Sequence, residues 1–497
     1  MLSLFSIATL AQALPVLPTP QPAPVSPRVP PQELVIPRET LPAQETLQTQ
    51  EVFQPQEVRP LPGQLDAVPV LNSNSPEVVQ TEGILLSTFP PTGKSVPSAH
   101  LNYPFQGRFD FFSHHIARFR TGQPRTLFHS LLLNNPTSQP VQVEILQGAS
   151  YSTRPDALFI DLPSMVEDPI GRVYAGPGSR VMNDLLRGKR QGMLPRQIVL
   201  QPGENQVLFN LAIPVVGAPG SNGRSTLLRL RSSGPVYAAS LAMYAPLFEG
   251  RERPPTIEEW QTLLFTSGLA GPRDIAPTPP GANVPRVFYG RVAGVAVGSQ
   301  WDAKLTDNPR SEVLTIPKPG RAFSYGLSTL YRGTLGTGQI QSAKMLVRYP
   351  DTAYQAHGNY GVQYNLTMPL HNPTRQPQTI TLSLQTPLKD DRNKGGLLFF
   401  HPPENRVFFR GPVRVRYTDE KGATQTRFMH ITQQRGQRGE PLLTLTLPAN
   451  ARSLVQVDLL YPPDSTPPQV LTVQTLERAL STTSPNSLEA QSPGVRK

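Results

Sequence analysis

The phrase NNPTSQPVQVEILQ, which begins at Asn134, returns 237 residues later as HNPTRQPQTITLSLQ, which begins at His371. In both copies, apolar residues alternate with polar ones after a turn that contains two prolines. Alternation with a period of two indicates a strand with one buried face, and the prolines prevent the segment from continuing as a helix. The repeat therefore predicts the unit strand, turn, strand at two places in the chain.

A second repeat follows the first in each copy. The segments NQVLFNLAIPV and ARSLVQVDLLYPP, which begin at Asn205 and Ala451, again place apolar residues at alternate positions. Two motifs in the same order predict tandem copies of one β domain. Because two copies are too few for a solenoid, the predicted fold class is all-β, with two tandem β-sandwich (Ig-like) domains that arose by duplication.

The distribution of proline suggests the domain boundaries. Proline is dense between residues 14 and 80, and its fixed φ angle and missing amide donor favour extended polyproline II. We therefore predict a disordered proline-rich linker at 14–80, a first sandwich at 81–246 and a second at 286–480. The tail at 481–497 is predicted to be disordered as well.

Helical patterns are few. The segment PTIEEWQTLLFTSG, in a connector at 247–285, places Thr256 three residues before Glu259, which is the spacing of a capping box, and Gly268 would end the helix. A shorter helix is predicted from Val181 to Arg187.

Two further segments carry strand signals. The sequence RVRYTDEKGATQTRFMHIT predicts a hairpin that turns at residues 419–422. The sequence RSTLLRLRSSGPVYAASLAMYA predicts two strands, one on each side of Ser233-Gly234-Pro235.

The first thirteen residues, MLSLFSIATLAQA, resemble an export signal. Their apolar run is too short to span a bilayer, and it closes on Ala11-Gln12-Ala13, a small-x-small ending that predicts a signal peptide at 1–13. No later segment approaches the ~18 consecutive apolar residues of a membrane helix, so no transmembrane segment is expected. The predicted localisation is secreted, periplasmic or cell surface.

The charge and the cysteine count narrow the possible chemistry. The chain has no cysteine, which excludes disulfides, thiolate metal ligands and cysteine nucleophiles. Its formal net charge is +11, and 37 of the 46 basic residues are arginine, a side chain suited to bidentate recognition of carboxylate, sulfate or phosphate. An anionic polymer is therefore a candidate partner, and a soluble basic surface is the plainer interpretation.

The strongest binding candidate is a row of arginines on one predicted strand. Arg414 and Arg416 alternate with apolar neighbours, so both are predicted to point to solvent, and Arg410 lies on the same face. An acidic polysaccharide would suit this row. The alternative is an exposed face that only keeps the protein soluble.

Histidines on an earlier predicted strand form a second candidate. His114 shares a strand face with Arg118 and Arg120, an arrangement that suits contact with an anion. Its neighbour His115 faces the opposite way and is expected in the core, so the pair cannot easily share a metal ion.

Catalytic motifs are not evident. The sequence PPTGKS at 90–95 ends like a phosphate-binding loop, but the first glycine of such a loop would fall at Thr88, five residues before Gly93. HExxH, GxSxG and EF-hand patterns do not occur. No catalytic residue, metal ligand or cofactor is predicted. Nucleic acid is disfavoured as a partner because an exported protein is separated from the nucleic acid of the cell, and because aromatic and basic residues do not interleave along the sequence.

Four phrases carry a family resemblance: GILLSTFPPTGKSVPSAHLNYPFQGRFDFFSHHIARF, GPGSRVMNDLLRGKRQG, HGNYGVQYNLTMPLHNPT and YPPDSTPPQVLTVQTL. They resemble a family of exported cyanobacterial proteins known as a domain of unknown function, over about residues 82–476. The family offers no catalytic residue to transfer. The resemblance implies an envelope or extracellular location in a photosynthetic bacterium.

These observations predict a non-enzymatic envelope or extracellular protein that binds an anionic surface polysaccharide or another envelope protein. One alternative is a glycan-acting hydrolase with paired carboxylates between the two domains. A second alternative is a structural component of a surface assembly.

Overall fold

The structure, a computed structural model, describes residues 49–119, 124–217, 220–392, 394–419 and 421–477. The predictions for the signal peptide at 1–13, for residues 14–48 and for the tail at 481–497 lie outside these residues. The described chain is built from strands and has two α-helices, so the all-β prediction is confirmed. Neither of these helices is long and apolar enough to cross a membrane.

The first half of the described chain contains fourteen strands, one α-helix and a short 3₁₀ helix at Pro97–Ala99. In chain order the other elements are β1 (Gln50–Pro55), β2 (Glu57–Arg59), β3 (Pro69–Ser73), β4 (Val78–Val79), β5 (Gly83–Ser87), β6 (Phe105–Phe119), β7 (Leu127–Asn134), β8 (Val141–Ser152), β9 (Met165–Glu167), α1 (Pro177–Leu186), β10 (Gln197–Leu200), β11 (Asn205–Ile213), β12 (Gly220–Tyr244), β13 (Leu247–Phe248) and β14 (Arg251–Glu252).

The second half contains the other α-helix and fourteen more strands. In chain order they are α2 (Ile257–Thr266), β15 (Ala293–Val297), β16 (Gln300–Lys304), β17 (Leu314–Thr315), β18 (Ala322–Leu327), β19 (Ala343–Arg348), β20 (Gln355–Ala356), β21 (Gln363–His371), β22 (Gln378–Gln385), β23 (Gly396–His401), β24 (Glu404–Thr418), β25 (Thr424–Arg435), β26 (Pro441–Leu447), β27 (Arg452–Leu460) and β28 (Gln469–Thr475).

Three sheets hold most of these strands. The twelve-stranded sheet has the order β10-β8-β12-β6-β3-β15-β19-β20, with β4, β5, β7 and β11 attached to its members. The seven-stranded sheet has the order β16-β21-β27-β24-β25-β9, with β17 beside β21. The five-stranded sheet has the order β2-β18-β28-β22-β26. Two-stranded pairs, β1 with β23 and β13 with β14, complete the arrangement.

The seven-stranded and five-stranded sheets enclose a common core. Tyr364 and Val415 of the first sheet and Ile380 and Leu471 of the second are fully buried in one apolar cluster. Alternate residues of each strand contribute to this cluster, as the period-two pattern predicts. A core between two sheets is the arrangement expected of a sandwich.

Strand β12 joins two layers of the twelve-stranded sheet. Its first part pairs with β6 and β8, its last part pairs with β5 and β7, and the register shifts between Ser232 and Val236. The prediction of two separate strands about Ser233-Gly234-Pro235 is therefore wrong. The Gly-Pro step bends one continuous strand of 25 residues instead of ending it.

The repeated phrase forms the same turn twice. The asparagine before the first proline donates its side-chain amide to three backbone carbonyls, at 2.7–3.1 Å for Asn135 and at 2.8–3.0 Å for Asn372. Its side-chain oxygen accepts from the backbone amide and hydroxyl of the next threonine, Thr137 or Thr374, at 2.8–3.0 Å. Both asparagines are fully buried, so these bonds satisfy their amides away from water.

The sheets around the two turns also correspond. The order β10-β8-β12-β6-β3 in the first half matches the order β26-β22-β28-β18 in the second half, with β2 of the first half as its fifth strand. In both sequences of five, the last pair is parallel and the others are antiparallel. The two halves therefore share an arrangement of strands. Descent from one duplicated domain stays a prediction.

The two halves are not separate domains with the predicted boundaries. Strands β15, β19 and β20 of the second half extend the twelve-stranded sheet beyond β3. Strand β9 of the first half pairs with β25 in the seven-stranded sheet. The described residues accordingly cluster as one compact unit. The boundaries at 81–246 and 286–480 were drawn from local patterns, which do not report pairing between distant strands.

The predicted linker at 14–80 is also wrong over its described part. Strands β1 to β4 occupy residues 50–79 and pair with strands of both halves. Proline lies at strand ends here, at Pro55 and Pro69, while Leu61 and Leu71 are buried. Proline is tolerated at strand ends, and averaging the composition over 14–80 hid this arrangement.

Both predicted helices are present. Thr256 and Glu259 form the capping box of α2: Thr256 Oγ1 accepts from the Glu259 amide at 3.4 Å, and Glu259 Oε2 accepts from the Thr256 amide at 2.8 Å. Helix α1 begins four residues earlier than predicted, at Pro177, a residue favoured in the first helical turn. The predicted hairpin is confirmed as β24 and β25, with Asp419 Oδ1 accepting from the Ala423 amide at 2.9 Å.

Candidate functional site

A cleft of about 500 Å³ lies where the twelve-stranded sheet meets the ends of β24 and β25. Its charged lining residues, within the described chain, are all cationic: Arg291, Lys389, Arg406 and Arg435. We call it the cationic cleft. A pocket with one sign of charge raises the local concentration of ligands of the opposite sign.

The strand framework brings these cations together from distant segments. Arg406 and Phe408 share one face near the start of β24, and Arg435 ends the partner strand β25. The Arg406 and Arg435 guanidinium carbons lie 5.5 and 5.9 Å from the Phe408 ring centroid. Arg291 precedes β15, directly after Gly290, whose φ of +76° and proximity to Pro277 disfavour a side chain.

Two of the four cations are already paired. Arg435 donates to Glu404 Oε2 at 2.8 Å, and Arg291 forms an ion pair with Glu77. Burial raises the pKa of Glu77, an effect that the charge of Arg291 opposes. Arg406 and Lys389 have no carboxylate within 4 Å among the described residues. These two side chains are therefore available to an anion.

Aromatic contacts hold Lys389 in place. Its ammonium lies 4.4 Å from the Tyr289 ring centroid and donates to the Tyr289 hydroxyl. The side chain as a whole is exposed, yet its ammonium is partly desolvated, and this desolvation lowers the pKa of Lys389 to about 8. Asp391 opposes the shift.

Neutral polar atoms complete the lining. Asn72 Oδ1, Asn74 Oδ1 and His357 Nδ1 are buried and have no hydrogen-bond partner within the described part of the chain. Burial, assisted by the charge of Lys389, lowers the pKa of His357 to about 4, so its ring is neutral near pH 7. Buried polar atoms are rarely left without partners, and the residues that carry these atoms line the cleft, so a side-chain rotation would present them to a ligand that brings hydroxyl groups as well as negative charge.

The predicted arginine row lies elsewhere and is partly covered. Helix α1 packs against β24 and β27, and the Leu186 carbonyl accepts from Arg414 Nη1 at 3.3 Å. Arg414 Nε and Arg416 Nη2 donate to Asp458 Oδ2 at 2.9 and 3.1 Å. The Arg410 guanidinium lies 5.2 Å from the Phe159 ring centroid. The arginines lie on the face opposite the buried Val413 and Val415, as the alternation predicts. They are not freely exposed, because α1 contacts Arg414 and because Asp458 pairs with Arg414 and Arg416, and alternation cannot show either contact.

Two of these arginines nevertheless line a groove. Arg414 and Arg416 border an open polar depression of about 660 Å³ on the outer face of the seven-stranded sheet, together with Asp302, Asn365 and other polar residues. A binding role for these arginines stays a prediction. The structure gives them a structural role as partners of Asp458.

The predicted histidine site is not assembled. His114 is buried, its Nδ1 lies 2.8 Å from Ser225 Oγ, and burial lowers its pKa to about 3. A neutral buried ring cannot provide the charge expected for anion contact. Arg118 is exposed, while Arg120 lies outside the described residues. Local pattern placed His114 on a strand face but could not show that the Glu77 carboxylate lies beside it, 3.9 Å from His114 Nε2.

The neighbouring His115 is a core residue, as expected. It is 1% exposed, donates from Nδ1 to the Pro76 carbonyl at 2.9 Å, and its Nε2 lies 3.0 Å from Ser73 Oγ. Burial lowers the pKa of His115 to about 4, although these hydrogen bonds oppose the shift. The fold therefore keeps this ring neutral at pH values where the unfolded chain protonates it.

Replacing His115 with glutamine is expected to flatten the pH dependence of stability. Below the unfolded pKa of about 6.5 the unfolded chain binds a proton that the fold rejects until about pH 4, so stability falls as the pH drops through this window. The unaltered chain should lose up to about 1.4 kcal/mol per pH unit more than His115→Gln in urea unfolding between pH 6.5 and 4.5.

Groups that titrate in both proteins contribute equally to the pH dependence of their stability, so their contribution cancels when the two slopes are compared. Burial raises the pKa of Asp464 to about 6, which acts in the opposite sense in both proteins. The matched control is His401→Gln, the same substitution at an exposed histidine. Equal slopes for the unaltered chain and His115→Gln would contradict the prediction.

The residues of the cationic cleft were missed in the sequence. The expectation that aromatic and basic residues do not interleave is wrong for RVFFR at 406–410 and FYGR at 288–291. These short patterns were the available signal. Lys389 and Arg435 have no local pattern, since they reach the cleft only through the pairing of β24 with β25 and the position of the segment after β22.

Solved structures resemble the chain weakly. Lac15 from a marine microbial metagenome is 11% identical with a TM-score of 0.10, over 76% of this chain and 55% of that one. The 11S allergen from Cocos nucifera is 12% identical with a TM-score of 0.11, over 81% and 91%. A single-substitution variant of the oxalate decarboxylase of Bacillus subtilis is 9% identical with a TM-score of 0.09, over 76% and 74%. The chain thus spans about half the length of Lac15, and none of these similarities supports an inference.

Sequence comparison is more informative. No curated protein matches the chain. Residues 56–475 match the family described as "Protein of unknown function (DUF3370)". The match covers most of the chain and nearly all of its described residues.

Proposed function

The chain belongs to the DUF3370 family, whose description names no activity, and we propose from its own residues that it is a non-enzymatic protein that binds an anionic surface polysaccharide. The cationic cleft is the proposed binding site. The observation that carries the proposal is the charge of the cleft lining. All its charged residues are cationic, and two of them, Arg406 and Lys389, have no carboxylate partner within the described residues. The proposed place of action is the cell surface, the periplasm or the medium.

Two features support a polysaccharide over a simple anion. The cleft is large enough for a chain segment, at about 500 Å³. Its unpartnered neutral atoms, among them Asn72 Oδ1 and His357 Nδ1, can bind hydroxyl groups, which a sugar polymer supplies along its whole length. The rival proposals are that the protein binds another envelope protein, or that it is a structural component of a surface assembly.

Replacing Arg406 with glutamate is expected to weaken binding of a polyuronate by about tenfold, on the order of 1.4 kcal/mol. The change removes one attraction and adds one repulsion at an exposed position, so the fold should tolerate it. Calorimetric titration of the full chain with polygalacturonate, repeated at increasing salt, measures the effect. Affinity should fall as salt rises because the charges are partly exposed.

The matched control is Arg375→Glu, an equal change of charge in an exposed turn outside the cleft. It should leave the affinity within about twofold, since distant surface charges are screened. Equal weakening by both variants would show that net charge alone, and not the cleft, determines the affinity. If polygalacturonate does not bind the unaltered chain, the proposal is rejected. Release of reducing ends from the polymer would instead favour the hydrolase.

A further inference from the structure

A second pocket, of about 200 Å³, adjoins the cationic cleft. Tyr289 and His357 line both. The other aromatic residues that line the second pocket are Phe288, Tyr331 and Tyr354, and we call it the aromatic pocket. Its remaining lining is mostly aliphatic and proline, so an apolar surface continues directly from a cationic one.

Backbone and side-chain contacts hold the aromatic pocket in shape. The Tyr289 hydroxyl donates to the Tyr331 carbonyl at 2.8 Å, and the Tyr289 and His357 ring centroids are 4.7 Å apart. The segment that carries Phe288 is tied down by two bonds to Thr278, at 2.8 and 2.9 Å. A site held by such contacts needs little rearrangement to accept a ligand.

Aromatic surface remains open in this pocket. Phe288 is 42% exposed and Tyr331 is 41% exposed, although both are large apolar side chains beside a cavity. Covering such surface removes it from water, which favours a ligand with an apolar face.

One class of ligand matches both pockets. A uronate sugar has an apolar face of C–H groups, a rim of hydroxyls and one carboxylate. The apolar face suits Phe288 and Tyr331, the hydroxyls suit the unpartnered Asn72 and Asn74 oxygens, and the carboxylate suits Lys389. A phosphate polymer carries charge but no apolar face, so it would leave the aromatic pocket uncovered.

We infer that the cationic cleft and the aromatic pocket are adjoining subsites for consecutive units of a uronate-bearing polysaccharide. This inference rests on the proposed function and specifies its ligand. Because Tyr289 and His357 form the shared wall, one sugar unit lies against the cations while its neighbour packs on the open rings.

Titration of the full chain with galacturonate oligomers of one to four units, and with inorganic polyphosphate of matched charge, tests the inference. Affinity is expected to rise at least about tenfold from the monomer to the tetramer, because a second subsite adds apolar contact. Tyr331→Ala and Phe288→Ala should each weaken tetramer binding by about fivefold and change polyphosphate binding by less than about twofold. The matched control is Phe248→Ala, which removes an aromatic ring, 64% exposed, outside both pockets.

The outcomes separate this inference from the proposed function. If the unaltered chain does not bind the galacturonate tetramer, the proposed function fails, whether or not polyphosphate binds. If both ligands bind and neither aromatic variant weakens the tetramer, the adjoining subsites are wrong while anion binding stands. If Phe248→Ala weakens binding as much as Tyr331→Ala, the aromatic pocket is again excluded. Thermal unfolding of each variant checks that the fold is retained.

Discussion

Replacing Asp458 with alanine is expected to lower the free energy of unfolding by about 3 kcal/mol. The side chain of Asp458 is 2% exposed and accepts from both Arg414 and Arg416, so its removal leaves two cations without their partner. Breaking a buried ion pair in this way is strongly destabilising. The arginines are 21% and 38% exposed, and water that reaches them keeps the expected loss at the lower end of the range.

Urea unfolding of the full chain measures this loss. The matched control is Glu144→Ala, which removes an acid from an exposed cross-strand pair with Arg231 at 3.6 Å. Because exposed pairs contribute little, the control should lose less than about 1 kcal/mol. A loss of that small size for Asp458→Ala would show that Arg414 and Arg416 are held by other contacts, and it would restore their candidacy as free binding residues.

Replacing Asn135 or Asn372 with alanine is expected to cost about 2–3 kcal/mol at each site. Each substitution leaves three backbone carbonyls without the amide that serves them in the fold. Each also removes the acceptor of the threonine two residues later. Since the two turns have the same bonds, the two losses should agree within about 1 kcal/mol.

Urea unfolding again provides the measurement. The matched controls are Ser138→Ala and Arg375→Ala, which alter exposed positions of the same two turns and should cost less than about 0.5 kcal/mol. A large loss at one asparagine with almost none at the other would contradict equivalent turns. Such a result would also weaken the case for a duplicated origin.

Local patterns predicted much of the fold. The alternation around Pro136 and Pro373, the capping box at Thr256 and the hairpin at residues 419–422 all correspond to elements of the structure. Each depends on neighbours in sequence, such as side chains one face apart or one helical turn apart. Such contacts can be read from a short window.

Pairing between distant segments could not be read in this way. The strands of residues 50–79 acquire their partners from both halves, and proline content alone suggested that they had none. The same limit affects Arg414, whose face is identified by alternation but whose cover, α1, comes from a segment more than 200 residues earlier. Burial by a remote layer leaves no local signature.

The cationic cleft shows the same division. Arg406 and Phe408 could have been grouped from their spacing on one strand. Arg291, Lys389 and Arg435 come from other segments, and only the assembled sheets bring them to one cavity. A net positive charge indicated that an anion would suit the protein, but it could not indicate where.

Strands of each half pair within sheets of the other half, and this limits how the protein can be divided into fragments. Residues 81–246 should not fold as an isolated fragment, because this fragment lacks β3, the parallel neighbour of β6. The exposed amides and carbonyls of β6 would then be open to pairing with other chains. Whatever its ancestry, neither half is now a self-sufficient building block, and any fragment designed for study has to retain residues 49–80 with both halves.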